Sequence, residues 1–193
     1  MLQIILILIL AYLLGSIPFS LIIARLFKGI DIRNHGSGNI GATNVLRTVG
    51  KKEATLALIA DILKGVLPVL LATFVLEDFW ISATAILVVL GHVFPIFAGF
   101  KGGKGVATTL GALIVIIPSG VIISLIVWLL VLVVFRYASL ASMIAAIALP
   151  AVCWGLNTPL AFTAAASINA VIILLKHTGN IKRLIAGTEN KVF

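Results

Sequence analysis

From Val106 to Phe135 the chain runs for 30 residues without a charge, broken only by Pro118-Ser119-Gly120. About 20 apolar residues suffice to cross a bilayer as a helix. In hydrocarbon every backbone polar group must be bonded within the chain, so only helices and closed barrels can span. The two-residue alternation of barrel strands is missing, and similar uncharged runs recur along the sequence. The fold class is therefore an all-α integral membrane protein. With 62% apolar and 10% charged residues, and a mean hydropathy of +1.26, the chain lies well outside the soluble range.

Charge placement sets the expected topology. The stretch from Arg25 to Glu53 holds six basic residues against Asp31 and Glu53, so the positive-inside rule makes it cytoplasmic and puts the N-terminus outside. Spans are expected near 2–24, 54–76 and 80–97. Splitting the long apolar run at Pro118 gives 106–117 and 118–135, and two more follow at 139–156 and 160–175. Seven transmembrane helices keep every loop Lys and Arg on one face, with a cytoplasmic C-terminus. A five-span arrangement that merges the last two segments around Asn157-Thr158-Pro159 keeps the same sidedness and is the alternative. The expected organisation is a single transmembrane helical domain over 1–193, with cytoplasmic polar loops at 25–53, 98–105 and 176–193.

The formal charge of +8 does not indicate nucleic acid, because the basic residues lie in short loops between spans. One cysteine, Cys153, excludes a disulfide framework within the chain. No basic segment precedes the first span and no small-residue cleavage site follows it, so it reads as a span and not a signal peptide. Asp61 and Lys64 share a helical face inside the second span. They form either a mutually neutralising pair or the wall of a substrate pocket.

Three polar stretches fall on the same expected face. The first, His35 to Arg47, alternates Gly36, Gly38 and Gly41 with Ser37, Asn39, Thr43 and Asn44, and ends on Arg47. Glycine-freed backbone N–H groups with hydroxyl, amide and guanidinium donors suit phosphate oxygens. In the second, Lys101-Gly102-Gly103-Lys104-Gly105 puts two ammonium groups just before a helix expected from Val106, whose N-terminal end is electropositive. It is not a P-loop, since the GxxxxGK[ST] spacing is missing. The third carries His177, Asn180, Lys182 and Arg183. One shared anion site explains three such stretches more simply than three separate anchors do.

This inventory stabilises negative charge. It lacks the clustered His, Cys and carboxylates of a metal centre, so neither metal nor cofactor is expected. The GxSxG elbow is missing. A His-x4-Asp acyltransferase motif fails as well, because Ile40, Phe97 and Lys182 stand five residues after His35, His92 and His177. Ser37 with His177 as base is one possible nucleophilic pair.

The runs SGNIGATNVLR, GHVFPIFAGFKGGKGVAT and HTGNIKRLIAGTENK, with GSIPFS at 15–20 and Asp61-Ile-Leu-Lys-Gly65, closely resemble a known family over essentially the whole chain. They are similar to the motifs of the acyl-phosphate-dependent glycerol-3-phosphate acyltransferases of bacterial membranes, the PlsY type. The resemblance implies transfer of an acyl chain from acyl phosphate to the sn-1 hydroxyl of glycerol 3-phosphate. Lysophosphatidic acid and phosphate would be the products, at the cytoplasmic face of the bacterial inner membrane. It implies catalytic roles for His177, Lys104, Arg47 and Ser37. Gly36, Gly38, Asn39, Thr43, Asn44, Lys101, Gly102, Gly103 and Asn180 would bind substrate. The implied partners are the two substrates and membrane lipid. An activated anhydride needs positioning and charge neutralisation more than a strong nucleophile. A transporter of phosphorylated solutes is the alternative, though it would show inverted repeats and mid-membrane breaks. A non-catalytic lipid-binding scaffold would need the basic patches but not His177 or the asparagines.

Overall fold

A computed structural model of the chain describes residues 1–192. Phe193, the end of the expected 176–193 tail, lies outside them. Among the described residues the regular structure is entirely helical. The helices are α1 (Leu2–Gly15), α2 (Phe19–Lys28), α3 (Ala42–Thr48), α4 (Lys51–Thr73), α5 (Asp78–Val93), α6 (Val106–Ile116), α7 (Pro118–Phe135), α8 (Ala138–Gly155), α9 (Leu160–Lys176) and α10 (Thr178–Ile185).

The first span breaks where the sequence puts proline. Pro18 has no N–H and its ring opposes a helical turn, so α1 stops at Gly15 and α2 restarts at Phe19. The break frees the carbonyl of Ile17, which accepts a hydrogen bond from Lys64 Nζ at 2.8 Å. Together 2–28 make one apolar stretch long enough to cross a bilayer, as do α4, Asp78–Ala98, α7 and α8. A sixth is the pair α9 and α10, bent by 56° at their junction. The remaining expected span, the fourth in chain order, is α6, which has 11 residues and is about 16 Å long, too short to cross alone.

Two expected loops contain helices. Within 25–53 the chain forms the end of α2, a 3-10 turn at Ile32–Asn34 and α3. In the polar tail, α10 starts one residue after His177. Hydropathy and charge placement identify neither, because both helices are short and polar.

Helix pairs that flank the site approach to backbone contact. A Cβ on Gly15 or Gly91 would collide with the carbonyls of Val88 or Tyr12, joining α1 to α5. One on Gly65 or Gly111 would strike Thr108 or Ile62 and push α4 off α6. Lipid offers no hydrophobic drive between helices, so such close contact is a main source of their association. The principal core gathers Ala11, Val69, Val88, Val89, Leu113 and Ala165. A second, with Leu21, Ala24, Ile32, Ile40, Val45 and Ala57, seats the first polar stretch on α2 and α4. The outward face of α7 exposes Ile126, Leu130, Val133 and Val134, as a surface against acyl chains requires.

Candidate active site

The first polar stretch is braced from inside by Asn44, which is only 1% exposed. Its Oδ1 accepts from the Ser37 N–H at 2.9 Å, and its Nδ2 donates to the carbonyls of Ile32, His35 and Asn39 at 3.0–3.2 Å. Gly36 and Gly38 adopt left-handed φ of 59° and 69°, which turn the chain around that amide. Asn44 was expected to bind substrate; in the fold the hydrogen bonds of its side chain go to the loop itself. Ser37, Thr43 and Arg47 remain on the exposed rim, and Asn39 is half-buried beside them.

The second stretch lies against the first. Gly103 is buried, and a Cβ there would collide with the carbonyl of Ile40 and with His92 Nε2. Gly102 faces the His92 carbonyl just as closely. These two glycines permit backbone packing. Lys101 is exposed, whereas Lys104 is half-buried and its Nζ donates to Asn180 Oδ1 at 2.5 Å. Helix α6 starts at Val106, so its N-terminal end follows Lys104 directly, as expected.

The third stretch completes the cluster. His177 is 2% exposed, at the junction of α9 and α10. Its Nδ1 lies 2.8 Å from the carbonyl of Ile173; a carbonyl only accepts, so Nδ1 carries the proton and Nε2 keeps a lone pair. Burial, reinforced by the charge of Lys104, lowers the pKa of His177 to about 4, and the imidazole is neutral at pH 7. Burial likewise lowers Lys104 to about 8; Glu189 opposes that shift while Arg183 and Arg47 add to it.

Glu189 ties these parts together. Its Oε1 accepts from Asn180 Nδ2 at 2.7 Å and from Ser139 Oγ at 2.8 Å, and its Oε2 pairs with Arg183 Nε at 2.7 Å. Burial pushes this carboxyl up, but hydrogen bonds from Asn180, Arg183 and Ser139 outweigh it and hold the pKa below the usual value. Asn180 is thereby oriented, with its amide N–H2 toward Glu189 and its oxygen toward Lys104. Arg47 Nη2 reaches the carbonyl of Asn190 at 3.4 Å, which brings α3 to the same tail. Sequence reasoning gave no role to Glu189 or Ser139. The available signal was a lone carboxylate in an otherwise basic tail, which has to be neutralised.

The combination has the chemistry to hold an anion: Lys104 and Arg47 carry charge, Asn180 carries an amide, and a neutral imidazole stands beside them. No group of three or more His, Cys, Asp or Glu residues suited to a metal ion occurs among the described residues. The family model described as glycerol-3-phosphate acyltransferase matches residues 5–187. The chain belongs to that family. A glycerol-3-phosphate acyltransferase of Wolbachia sp. subsp. Brugia malayi is 50% identical over 185 residues, covering 95% of each chain. One from Geotalea daltonii is 47% identical over 181 residues, covering 93% of each. The crystal structure of PlsY (YgiH), an integral membrane glycerol 3-phosphate acyltransferase, in its glycerol 3-phosphate form matches at a TM-score of 0.96. Identity is 42%, with 99% of this chain and 96% of that one covered. Its lysophosphatidic acid form matches at 0.92 and 41% identity. Membership fits this anion-holding chemistry, since the substrate in the family's name carries a phosphate monoester. The arrangement brings Lys104, His177, Asn180 and Arg47 into one network; Lys101 stands outside it.

Proposed function

We propose that this acyltransferase moves an acyl chain from acyl phosphate to the sn-1 hydroxyl of glycerol 3-phosphate by direct attack, without an acyl-enzyme. The hydroxyl oxygen bonds to the acyl carbon, the bond from that carbon to the phosphate oxygen breaks, and inorganic phosphate leaves. The proton passes to His177 Nε2 or to a phosphate oxygen of the donor. Lys104 and Asn180 hold the glycerol phosphate. Arg47 with Ser37, Asn39 and Thr43 neutralises the phosphate of the donor. The observation that carries this reading is that Lys104, bonded to a Glu189-oriented Asn180, and Arg47 reach the same tail beside a neutral His177: two cations for two phosphates, and a lone pair for one proton.

The chain sits in the inner membrane of a bacterium and crosses it seven times, α6 together with its flanking turns making the fourth crossing. The N-terminus faces outward and the site faces the cytoplasm, because loop Lys and Arg then share one side. A cysteine at position 78 that labels from the cytoplasmic side would reverse this topology. The reaction is tested by phosphate release from acyl phosphate with and without glycerol 3-phosphate. Release that depends on glycerol 3-phosphate and yields lysophosphatidic acid is expected. Release indifferent to the acceptor would refute the assignment of donor and acceptor, and uptake of the intact phosphorylated solute into vesicles would favour a transporter.

A further inference from the structure

Beneath the glycine turn lies a charged cluster for which the proposed reaction has no direct use. Asp61 Oδ1 and Lys64 Nζ form an ion pair at 2.8 Å, with each side chain 3% exposed. His92 Nδ1 stands 3.6 Å from the same oxygen and shares a hydrogen bond of 3.1 Å with Thr108 Oγ1. Ser20 Oγ donates to Asp61 Oδ2 at 3.4 Å, and Lys64 Nζ caps the Ile17 carbonyl at the break of the first span. Burying both ions costs several kcal/mol each, and an apolar pair of equal size would avoid that cost. What the charges supply is direction, because each fixes a specific atom of a neighbouring element.

That direction leads to the turn. The Gly103 N–H donates to the His92 carbonyl at 3.2 Å, and the ring of His92 occupies the space where a Gly103 Cβ would stand. Residues 102 and 103 therefore rest on His92 through both its backbone and its imidazole, and Lys104 is the next residue. A small cavity bounded by Ile17, Phe19, Ile40, Lys64, His92 and Gly103 marks the point where α4, α5, the span break and the first two polar stretches converge. We propose that His92 is a positioning residue for the Lys101–Gly105 turn, its ring held by Asp61 and Thr108 while Lys64 pairs with that carboxylate, and that it sets the placement of Lys104 in the phosphate site. This rests on the proposed role of Lys104 in binding phosphate.

Thr108→Val removes the hydroxyl while preserving side-chain shape, so it is the first test. A displaced Lys104 fits the phosphate less well, and misplacement by an ångström costs on the order of tenfold to a hundredfold. That loss is expected as a raised KM for glycerol 3-phosphate, with a smaller change in kcat. The alkaline limb of kcat/KM separates positioning from general loosening. Lys104 faces Glu189 of the tail, Arg183 of α10, Arg47 of α3 and His177 at the α9–α10 junction. Lifted from burial among them, it titrates nearer its ordinary value, and the limb moves to higher pH. Thr108→Ser is expected to restore both readouts, and His92→Asn to shift them as Thr108→Val does. Thr108→Val and His92→Asn proteins that are folded, yet have wild-type KM and an unmoved limb, would overturn the inference. Lys104→Ala distinguishes the two levels. Near-normal activity in Lys104→Ala refutes the role of Lys104 itself, whereas a large loss there beside wild-type behaviour in Thr108→Val refutes only the role of His92.

Discussion

Replacing Glu189 by Gln keeps the shape of the side chain and removes its charge, and the structure gives both the sign and the size of the effect. Two hydrogen bonds through one amide separate the Lys104 ammonium from the carboxylate, so the charges lie ~6–7 Å apart. At an effective dielectric of about 20 that separation corresponds to ~2.5 kcal/mol. Screening by solvent and competition from Arg183 remove roughly half, leaving about 1 kcal/mol, or somewhat under one pH unit. The attraction raises the pKa of Lys104, so its loss lowers that pKa from about 8 toward about 7. In the proposed reaction protonated Lys104 neutralises phosphate, and kcat/KM is therefore expected to fall as pH rises through this value. Measured against glycerol 3-phosphate from pH 5 to 10, the wild-type alkaline limb is expected near 8 and the Glu189→Gln limb about one unit lower. Any acid limb near pH 6 belongs to the second ionisation of the substrate phosphate and stays in place. His177 adds none there, because its pKa of about 4 leaves it neutral. An unmoved limb in folded Glu189→Gln enzyme, or one displaced to higher pH, would refute the electrostatic coupling of Lys104 to Glu189.

Arg47→Ala and Lys104→Ala are each expected to lower turnover by on the order of a hundredfold, since loss of a charge-assisted bond at a desolvated site costs about 2–5 kcal/mol. Unchanged turnover in both would leave these residues as anchors. Incubation with acyl-labelled donor alone is expected to leave the denatured protein unlabelled; a stoichiometric label that disappears in Ser37→Ala would establish an acyl-enzyme and reverse the proposed order of events. Asn44→Ala strands one N–H and three carbonyls around a buried site, which calls for about 2–4 kcal/mol of destabilisation and a melting point lower by several degrees. A wild-type melting point would show that the loop holds without its brace.

The membrane class, the break near Pro18 and the polar stretches were legible because each depends on local chemistry: hydropathy, a missing N–H, a glycine-rich donor run. Motif resemblance also grouped Lys104, His177, Asn180 and Arg47, and in the fold Lys104 bonds Asn180 while Arg47 reaches the same tail. What stayed hidden depends on which partner a side chain finds. Asn44 and Asn39 look equivalent in sequence, yet only the fold turns Asn44 inward onto three carbonyls. Asp61 and Lys64 were visible as an intramembrane pair, but their link to His92 needs α4, α5 and α6 in contact. Glu189 escaped notice because its partners, Ser139 and Asn180, lie 50 and nine residues away in the chain.

The glycine contacts of α1 with α5 and of α4 with α6 bear on how an enzyme of the proposed kind would meet its greasy substrate. Walls closed backbone to backbone cannot part to admit an acyl tail without losing the contacts that hold them. The tail of the donor would then stay in the bilayer while only its head is drawn into the rim. Catalysis becomes a two-dimensional encounter, governed by the mole fraction of donor among the lipids and not by its amount per litre. Diluting the donor with inert lipid at constant total concentration would slow such an enzyme, and adding water would not.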